Sequence, residues 1–256
     1  MNQQYSLLTP NVNSVVSVDI HTHTGWMFHP HTRLVINEFM AAFLTIFAVV
    51  AARASLAIAG EFVALAAGLA LFAVITIFHG ATGNPFFLVA GFIIQRVHWL
   101  GCILAIIAQF AGAILAVVFV QYGLLKNINV AVPRVQAPSA DWNGFLAEMI
   151  VIFFVVIAFL LSEYTHHSEN KPFVVGVVMA LGGWAIFSIS NACINPFYHL
   201  TTAIIANIWD PSCWAYYIGE LVGVILAVIL VVLSRIRVIV HSNIWFAYYS
   251  EKVHNK

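Results

Sequence analysis

Two copies of an asparagine-proline pair carry the most specific chemical signal in this sequence. Both are followed by phenylalanine, and they lie 111 residues apart, at Asn84-Pro85-Phe86 and Asn195-Pro196-Phe197. Proline is well tolerated at the first position of a helix, where its missing N–H would have no partner, and the preceding asparagine can cap that helix. Each pair therefore predicts the start of a short helix with an amide side chain at its N-terminus.

The composition places these pairs inside a membrane. Of the 256 residues, 62% are hydrophobic and 8% are charged, whereas soluble domains are about half apolar and a quarter charged. Non-helical backbone at membrane depth must lie against protein or water, so the two pairs are predicted to line a cavity. The formal net charge is zero and the sequence has no basic field or phosphate-binding loop. Nucleic acid is therefore not an expected partner.

The other reactive residue types predict no metal or cofactor site. The cysteines lie in or beside apolar segments without metal-ligand spacing, which indicates reduced packing residues and no disulfide framework. They are Cys102, Cys193 and Cys213. Histidines in the polar first 30 residues favour a solvated tail over a metal site. This tail has no feature of a cleavable signal peptide.

Six long apolar segments predict an all-α membrane protein. They run from about Leu34 to Ala52, Glu61 to Phe78, His98 to Tyr122, Trp142 to Leu161, Pro172 to Ile189 and Trp214 to Ser234. The stretches after the two asparagine-proline pairs are too short to cross a bilayer, which takes about 20 residues. The expected architecture is a bundle of six transmembrane helices and two half-helices over residues 33–237, between polar tails at 1–32 and 238–256.

Lysine and arginine predict the orientation. If both termini are cytoplasmic, seven of the ten basic residues lie inside and three lie outside, namely Arg53, Lys126 and Arg134. This distribution agrees with the positive-inside rule. The chain is thus predicted to be an integral multi-pass protein of the plasma membrane or of an organelle membrane.

The two halves of the chain repeat each other. The sequence at 37–40 matches 147–150 with a shift of 110, and the segment that begins at Gly112 matches the one at Gly223 with a shift of 111. The repeats cover about 33–122 and 142–237. Because three spans per half is an odd number, the second half must enter the membrane from the opposite side. Inverted repeats with interrupted helices place the substrate path between the repeats, near the midplane.

From about Leu34 to Arg237 the sequence resembles the aquaporin and aquaglyceroporin family. The resemblance rests on the paired asparagine-proline motifs, on further matching residues in both halves, and on their spacing. These residues are Glu38, Glu148, Ala108-Gln109 before Gly112, Pro172 and the run from Trp214 to Gly223. It implies a right-handed bundle in which the two short helices meet by their N-termini at the centre of a pore. It also implies a homotetramer with one pore per subunit, and Glu38 and Glu148 as buried carboxylates that hold the pore loops.

This resemblance assigns a physical role to the two asparagines. Asn84 and Asn195 offer side-chain N–H donors, and each helix N-terminus adds a partial positive charge of about half an elementary charge. A water molecule between them must turn its oxygen towards the donors, which interrupts the proton-conducting chain and repels cations. Permeation of this kind needs no catalytic residue and no cofactor, so the chain is not expected to be an enzyme.

The sequence departs from the family pattern at the motifs themselves. Phe86 and Phe197 replace the usual alanines, and their rings are expected to narrow the central constriction or to push the loops apart. The family usually carries arginine three residues after the second asparagine, as part of an outer filter, whereas this chain has Tyr198. The fixed cation of that filter is therefore missing.

The remaining filter positions implied by the resemblance are all small. They are Ala192, Gly183 and either Ala64 or Ala67. With small residues and no charge, this filter is predicted to be wide enough for polyols.

Several other residues are candidates for pore lining or gating. His79 and His199 flank the motifs, although a packed neutral histidine is the favoured interpretation. Cys193 is expected to face the pore. His166 and His167 lie in a polar loop beside acidic residues, where protonation could move the loop, although a solvated loop is favoured.

The leading functional hypothesis is a passive channel for water and small uncharged solutes such as glycerol, urea or hydrogen peroxide, with the lipid bilayer as its other partner. One alternative is a structural or adhesive membrane protein with the same fold and a poor pore. Another is a less selective ion or metalloid pathway, suggested by the missing arginine. A coupled transporter is disfavoured, because the spans contain no acidic ion-binding pair beyond Glu38 and Glu148.

Overall fold

A computed structural model describes residues 30–55, 61–125, 127–162 and 168–254 of the chain. For Pro30, Glu61, Leu125, Ser168 and 235–254 the description covers the backbone alone. His166 and His167 lie outside the described residues, and so does most of the histidine-rich tail. The gating hypothesis for that histidine pair therefore stays a prediction.

Eight α-helices and no strand make up the described ranges. They are α1 (Pro30–Ala54), α2 (Glu61–Ile77), α3 (Pro85–Ile93), α4 (Trp99–Val118), α5 (Asp141–Leu161), α6 (Lys171–Ser190), α7 (Pro196–Ala206) and α8 (Trp214–His254). A π-helical turn, Phe119–Leu125, continues α4. The predicted all-helical fold with two short helices is confirmed.

The lengths of these helices fit a membrane protein. Five of the described helices are long and apolar enough to cross a bilayer, while α2 is apolar but shorter. Their outward side chains are large and apolar, with Trp142, Leu181 and Trp184 each more than 60% exposed. Such a surface suits contact with lipid. The sixth predicted span was expected to end near Ser234, but α8 continues as one helix to His254, so no break in the helix marks the predicted tail.

The two halves of the bundle are built by the same packing device. In each half the first and last long helices, α1 with α4 and α5 with α8, touch through a glycine. A β-carbon added at Gly112 would lie 2.3 Å from the Phe39 carbonyl oxygen, and one added at Gly223 would lie 2.4 Å from that of Met149. The repeat relates Gly112 to Gly223 and Phe39 to Met149, so the same backbone contact occurs in both halves.

The halves meet most closely between α2 and α6. Added β-carbons at Gly68 and Gly176 would each lie within 2.7 Å of the other glycine's carbonyl oxygen. Only glycine permits this approach, since any side chain would overlap backbone atoms. The contact brings the predicted filter positions of α2 and α6 together.

Candidate pore between the two asparagine-proline loops

Each short helix begins where the sequence predicts. The side-chain oxygen of Asn84 accepts a hydrogen bond from the Phe86 N–H at 3.0 Å, and that of Asn195 accepts one from the Phe197 N–H at 3.0 Å. Each proline occupies the first helical turn. Both asparagines therefore cap their helices with oxygen, which leaves their amide nitrogens for other partners.

Those amide nitrogens fasten the two loops to each other. Asn84 Nδ2 donates to the Ile194 carbonyl at 2.8 Å, and Asn195 Nδ2 donates to the Gly83 carbonyl at 3.0 Å. An amide nitrogen carries two hydrogens, so each asparagine keeps one more N–H beyond the loop contact. The crossed pair places two donors and two helix N-termini at one point in the centre of the bundle.

The first loop is held from behind by Glu38. Its Oε2 accepts hydrogen bonds from the Gly83 N–H at 3.0 Å, from the Thr82 N–H at 3.3 Å and from Gln109 Nε2 at 2.7 Å. The side chain is only 3% exposed. A buried carboxylate is tolerable here because it satisfies backbone donors that would otherwise lack partners inside the membrane.

The second loop is held in the same way by Glu148. The carboxylate accepts from the Cys193 N–H at 2.9 Å, the Ile194 N–H at 2.8 Å and the Ser190 hydroxyl at 2.5 Å. Glu148 is completely buried. Each glutamate therefore accepts two backbone N–H bonds from the pore loop of its own repeat. The third donor differs, being Gln109 in the first repeat and Ser190 in the second.

Both loops contain a left-handed backbone position just before the motif asparagine. Glycine occupies it in the first loop and isoleucine in the second. Gly83 has a φ of +65°, and an added β-carbon would lie 2.5 Å from the Ala42 nitrogen. Its counterpart Ile194 has a φ of +48°, which is rare for a β-branched residue. The contacts with Asn84 and Glu148 hold Ile194 in this conformation.

A small cavity lies against the crossed loops. It measures about 30 Å³, which is room for about one water molecule. Its lining consists of Thr45, Ile46, Val49, Ala67, Leu71, Thr82, Asn84, Phe87, Met179, Ala192, Cys193, Asn195 and Tyr198. Both motif asparagines thus face a site of the size of a single water.

A larger cavity of about 410 Å³ adjoins the small one, because Thr82 and Phe87 line both. Its wall includes His79, Arg96 and Lys171. This cavity forms a wide vestibule on one side of the loops. The path therefore narrows from a vestibule to a single-water site.

The predicted filter residues come together, but not as a wide opening. A β-carbon added at Gly183 would lie 3.1 Å from Cβ of Ala64, 3.5 Å from Cδ1 of Ile194 and 3.6 Å from Cβ of Ala192. The small residues allow α2 and α6 to touch instead of leaving a gap between them. The expectation of a wide filter is therefore wrong for this structure. Of the two alternatives on α2, Ala67 and not Ala64 lines the small cavity.

Tyr198 is fixed where the resemblance would put arginine. The side chain is 1% exposed, and its hydroxyl donates to the Ala131 carbonyl at 2.7 Å. Its ring contributes to the cavity lining. The hydroxyl is therefore engaged by the turn at Asn129–Ala131. Sequence reasoning missed this partner because no local pattern links the two segments.

Residues 26–231 match the family described as "Major intrinsic protein". The chain belongs to the major intrinsic protein family. It is thus an integral multi-pass membrane protein and a passive channel for water and small solutes, and members of this family are channels rather than enzymes.

Individual relatives agree with this assignment. Aquaporin A of Dictyostelium discoideum is 28% identical over 209 residues, which cover 75% of this chain and 74% of that protein. The neurogenic protein big brain of Drosophila melanogaster is 29% identical over 206 residues, but these cover only 29% of that protein. The X-ray structure of the aquaglyceroporin from Plasmodium falciparum aligns with a TM-score of 0.65 at 18% identity, covering 78% of this chain and 93% of that one. This structural match supports the fold alone.

The phenylalanines that replace the family alanines do not enter the channel. Neither Phe86 nor Phe197 lines the small cavity. Phe86 packs against the hydrophobic core, and the Phe197 ring lies 5.4 Å from that of Phe110 on α4. The expectation that these rings narrow the central cavity or separate the loops is therefore wrong. The rings lie outside the lining of the cavity, and the two loops are joined by the hydrogen bonds of Asn84 and Asn195.

The candidate histidines occupy two different environments. His79 lines the vestibule. His199 is completely buried, with Nδ1 2.7 Å from the Tyr217 hydroxyl and its ring against Tyr216 and Tyr217. His199 does not contribute to the lining of the small cavity, so this channel holds it as a packed residue.

Cys193 lines the small cavity, whereas the other two cysteines do not. Its thiol donates to the Asn195 carbonyl at 3.3 Å and is 3% exposed. Within the described ranges no group of three or more histidine, cysteine or acidic residues is arranged to hold a metal ion.

Proposed function

We propose that the protein conducts water, and small uncharged solutes such as urea or glycerol more slowly, in single file past Asn84 and Asn195. The crossed hydrogen bonds of the two loops carry this proposal, because they leave one amide N–H of each asparagine beside a site of single-water size. A water there would accept hydrogen bonds from both asparagines, so its oxygen could not also accept one from a neighbouring water, and the proton-conducting file would be interrupted. No step requires a catalytic residue, so we expect no enzymatic activity.

The proposal extends to the setting of the channel. The distribution of lysine and arginine supports cytoplasmic termini. The apolar outer surface supports contact with lipid and with further subunits of a homotetramer. Glu38 and Glu148 would act as structural residues of the pore loops. Ala67, Ala192 and Tyr198 would form its narrow outer filter, with Ala64 and Gly183 packed against each other beside it.

Stopped-flow light scattering on proteoliposomes tests the solute order. We expect water to move fastest, urea more slowly and glycerol most slowly, because the contact between Gly183 and Ala64 leaves little width. Glycerol flux equal to water flux would show that the filter opens beyond the structure described above.

A second candidate function is a structural or adhesive role with a poor pore. The narrowness of the central cavity favours it, and one relative is named as a neurogenic protein. This candidate predicts that proteoliposomes shrink no faster than protein-free liposomes for any solute, whereas the channel proposal predicts faster shrinkage with water.

Mercury should block the channel through Cys193. The cavity holds about one water molecule. A mercurial bound to the thiol is larger than that, so it should stop the flow of water. Serine retains a donor for the Asn195 carbonyl, and Cys193→Ser should therefore conduct water and resist the block. Equal block of the mutant would assign the effect to Cys102 or Cys213 and contradict the placement of Cys193 in the pore.

Replacing Tyr198 by arginine should lower solute flux more than water flux. The longer charged side chain adds bulk and a fixed cation at the outer filter, while the central asparagines stay intact. Tyr198→Phe is the matched control, because it removes only the hydrogen bond to Ala131. Proportionally equal losses of urea and water flux in Tyr198→Arg would show that position 198 does not set selectivity.

A further inference from the structure

One cation lies close to the position where the filter arginine is missing. Arg53 ends α1, and its Nε donates to the Val130 carbonyl at 3.1 Å. The next carbonyl in the same turn, that of Ala131, accepts from the Tyr198 hydroxyl. Arg53 and Tyr198 are therefore anchored side by side on one short turn.

A second contact places Arg53 beside α6. The guanidinium carbon lies 4.7 Å from the centroid of the Phe187 ring, a favourable cation–π distance. Phe187 is one helical turn beyond Gly183 on the same face of α6. Since Gly183 contacts Ala64 and Ala192, Phe187 and Arg53 lie one turn further out than the filter positions.

We propose that Arg53 supplies from α1 the fixed positive charge that α7 lacks, and that it excludes cations from this end of the channel. This inference rests on the proposed function. Arginine stays charged at any physiological pH. Partial burial against Phe187 weakens screening of its charge by solvent. The Val130 carbonyl uses one of its five N–H groups, and among the described residues no other acceptor lies within hydrogen-bonding distance.

The test measures potassium flux into proteoliposomes, with water flux recorded on the same preparations. Arg53→Gln should raise potassium flux by about tenfold, because a fixed charge at a narrow mouth repels cations. Arg53→Lys keeps the charge and should stay close to the parent protein. Arg134→Gln is the matched control, because Arg134 is exposed and contacts this region through its backbone N–H; it should leave both fluxes unchanged.

Potassium flux in Arg53→Gln equal to that of the parent would overturn the inference while water conduction persists. An equal rise in Arg134→Gln would also overturn it, since that result would indicate a diffuse surface charge. Failure of the proposed function is a separate result, namely no water flux through the parent protein.

A different observation carries a second inference. Glu220 on α8 corresponds to Gln109 under the repeat, and Gln109 donates to Glu38. Glu220 is completely buried, and neither of its oxygens has a hydrogen-bond partner in the described part of the chain. Its electrostatic neighbours among titratable side chains are Glu148 on α5 and Cys193 of the second loop, and both are also buried.

We infer that Glu220 binds a proton, so that only one of the two carboxyl groups behind the second loop is charged. An ionised carboxylate only accepts hydrogen bonds, whereas a protonated carboxyl can donate one. A second buried negative charge at Glu220 would be strongly unfavourable, because the donors of this region are bonded to Glu148 and none is bonded to Glu220. A protonated Glu220 is uncharged, as is Gln109 at the corresponding position of the first repeat.

Infrared difference spectroscopy of the full-length protein in lipid tests this inference at neutral pH. The parent should show the C=O band of a protonated carboxylic acid, and Glu220→Gln should lose that band while it keeps the thermal stability of the parent. Gln109→Glu should gain an equivalent band, because it recreates the same pair in the first repeat. Absence of the band in the parent, or strong destabilisation by Glu220→Gln, would overturn the inference.

Discussion

Replacing Glu148 by alanine is expected to abolish permeability and to destabilise the second half of the channel. The change removes the acceptor of the Cys193 N–H, the Ile194 N–H and the Ser190 hydroxyl. Each buried donor left without a partner costs about 1–3 kcal/mol, so the combined loss is a large part of a typical protein's stability, which is about 5–15 kcal/mol.

The loss should be largest at the loop itself. Ile194 has a left-handed backbone conformation that its own side chain disfavours, and without Glu148 only the bond from Asn84 would hold it there. Thermal unfolding in detergent and water flux in liposomes measure the two effects. Glu148→Gln retains one acceptor oxygen and should fall between the parent and Glu148→Ala. Normal water flux in Glu148→Ala would contradict the assigned role.

Changing either motif asparagine to aspartate is expected to lower water flux by about tenfold or more, equivalent to about 1.4 kcal/mol in the barrier. Aspartate keeps the oxygen that caps the helix, so α3 and α7 should still form. It loses the amide donor, however, and turns a carboxylate oxygen towards the Ile194 or Gly83 carbonyl. The loops would then repel each other where they now hold together.

Asn207→Asp is the matched control for this prediction. Asn207 is exposed at the end of α7, so it undergoes the same chemical change outside the crossed loops. It should conduct water like the parent. Equal losses in Asn207→Asp and in the motif variants would mean that added charge, and not the lost donor, reduces the flux.

Much of the fold could be predicted because its determinants are local or duplicated. The apolar segments predicted the helix ends within a few residues, except for the end of α8 at His254, and each asparagine-proline pair marked a helix start that its own side chain caps. The shared shift of about 110 residues indicated that Gly112 and Gly223, and likewise Glu38 and Glu148, have equivalent environments. The glutamates bond to backbone groups of their own half, so the repeat was sufficient to place them.

The width and charge of the filter could not be predicted, because they depend on contacts between distant segments. The small residues Ala64 and Gly183 would fit either a gap between α2 and α6 or direct contact between them. The close approach of Gly68 to Gly176 brings the two helices into contact. Arg53 meets Tyr198 through the turn at 129–131, for which the sequence has no motif. The repeat aligns Gln109 with Glu220. This difference in residue type indicates that the two halves differ locally at this position.

The most direct test of the central claim is osmotic water flux through purified protein in liposomes, measured for the parent and for the double variant Asn84→Asp with Asn195→Asp at equal protein content. If the two loops form the water path, the parent should shrink its liposomes much faster than protein-free liposomes, and the folded double variant should shrink them at nearly the protein-free rate. A parent indistinguishable from protein-free liposomes, or a double variant as fast as the parent, would contradict the account.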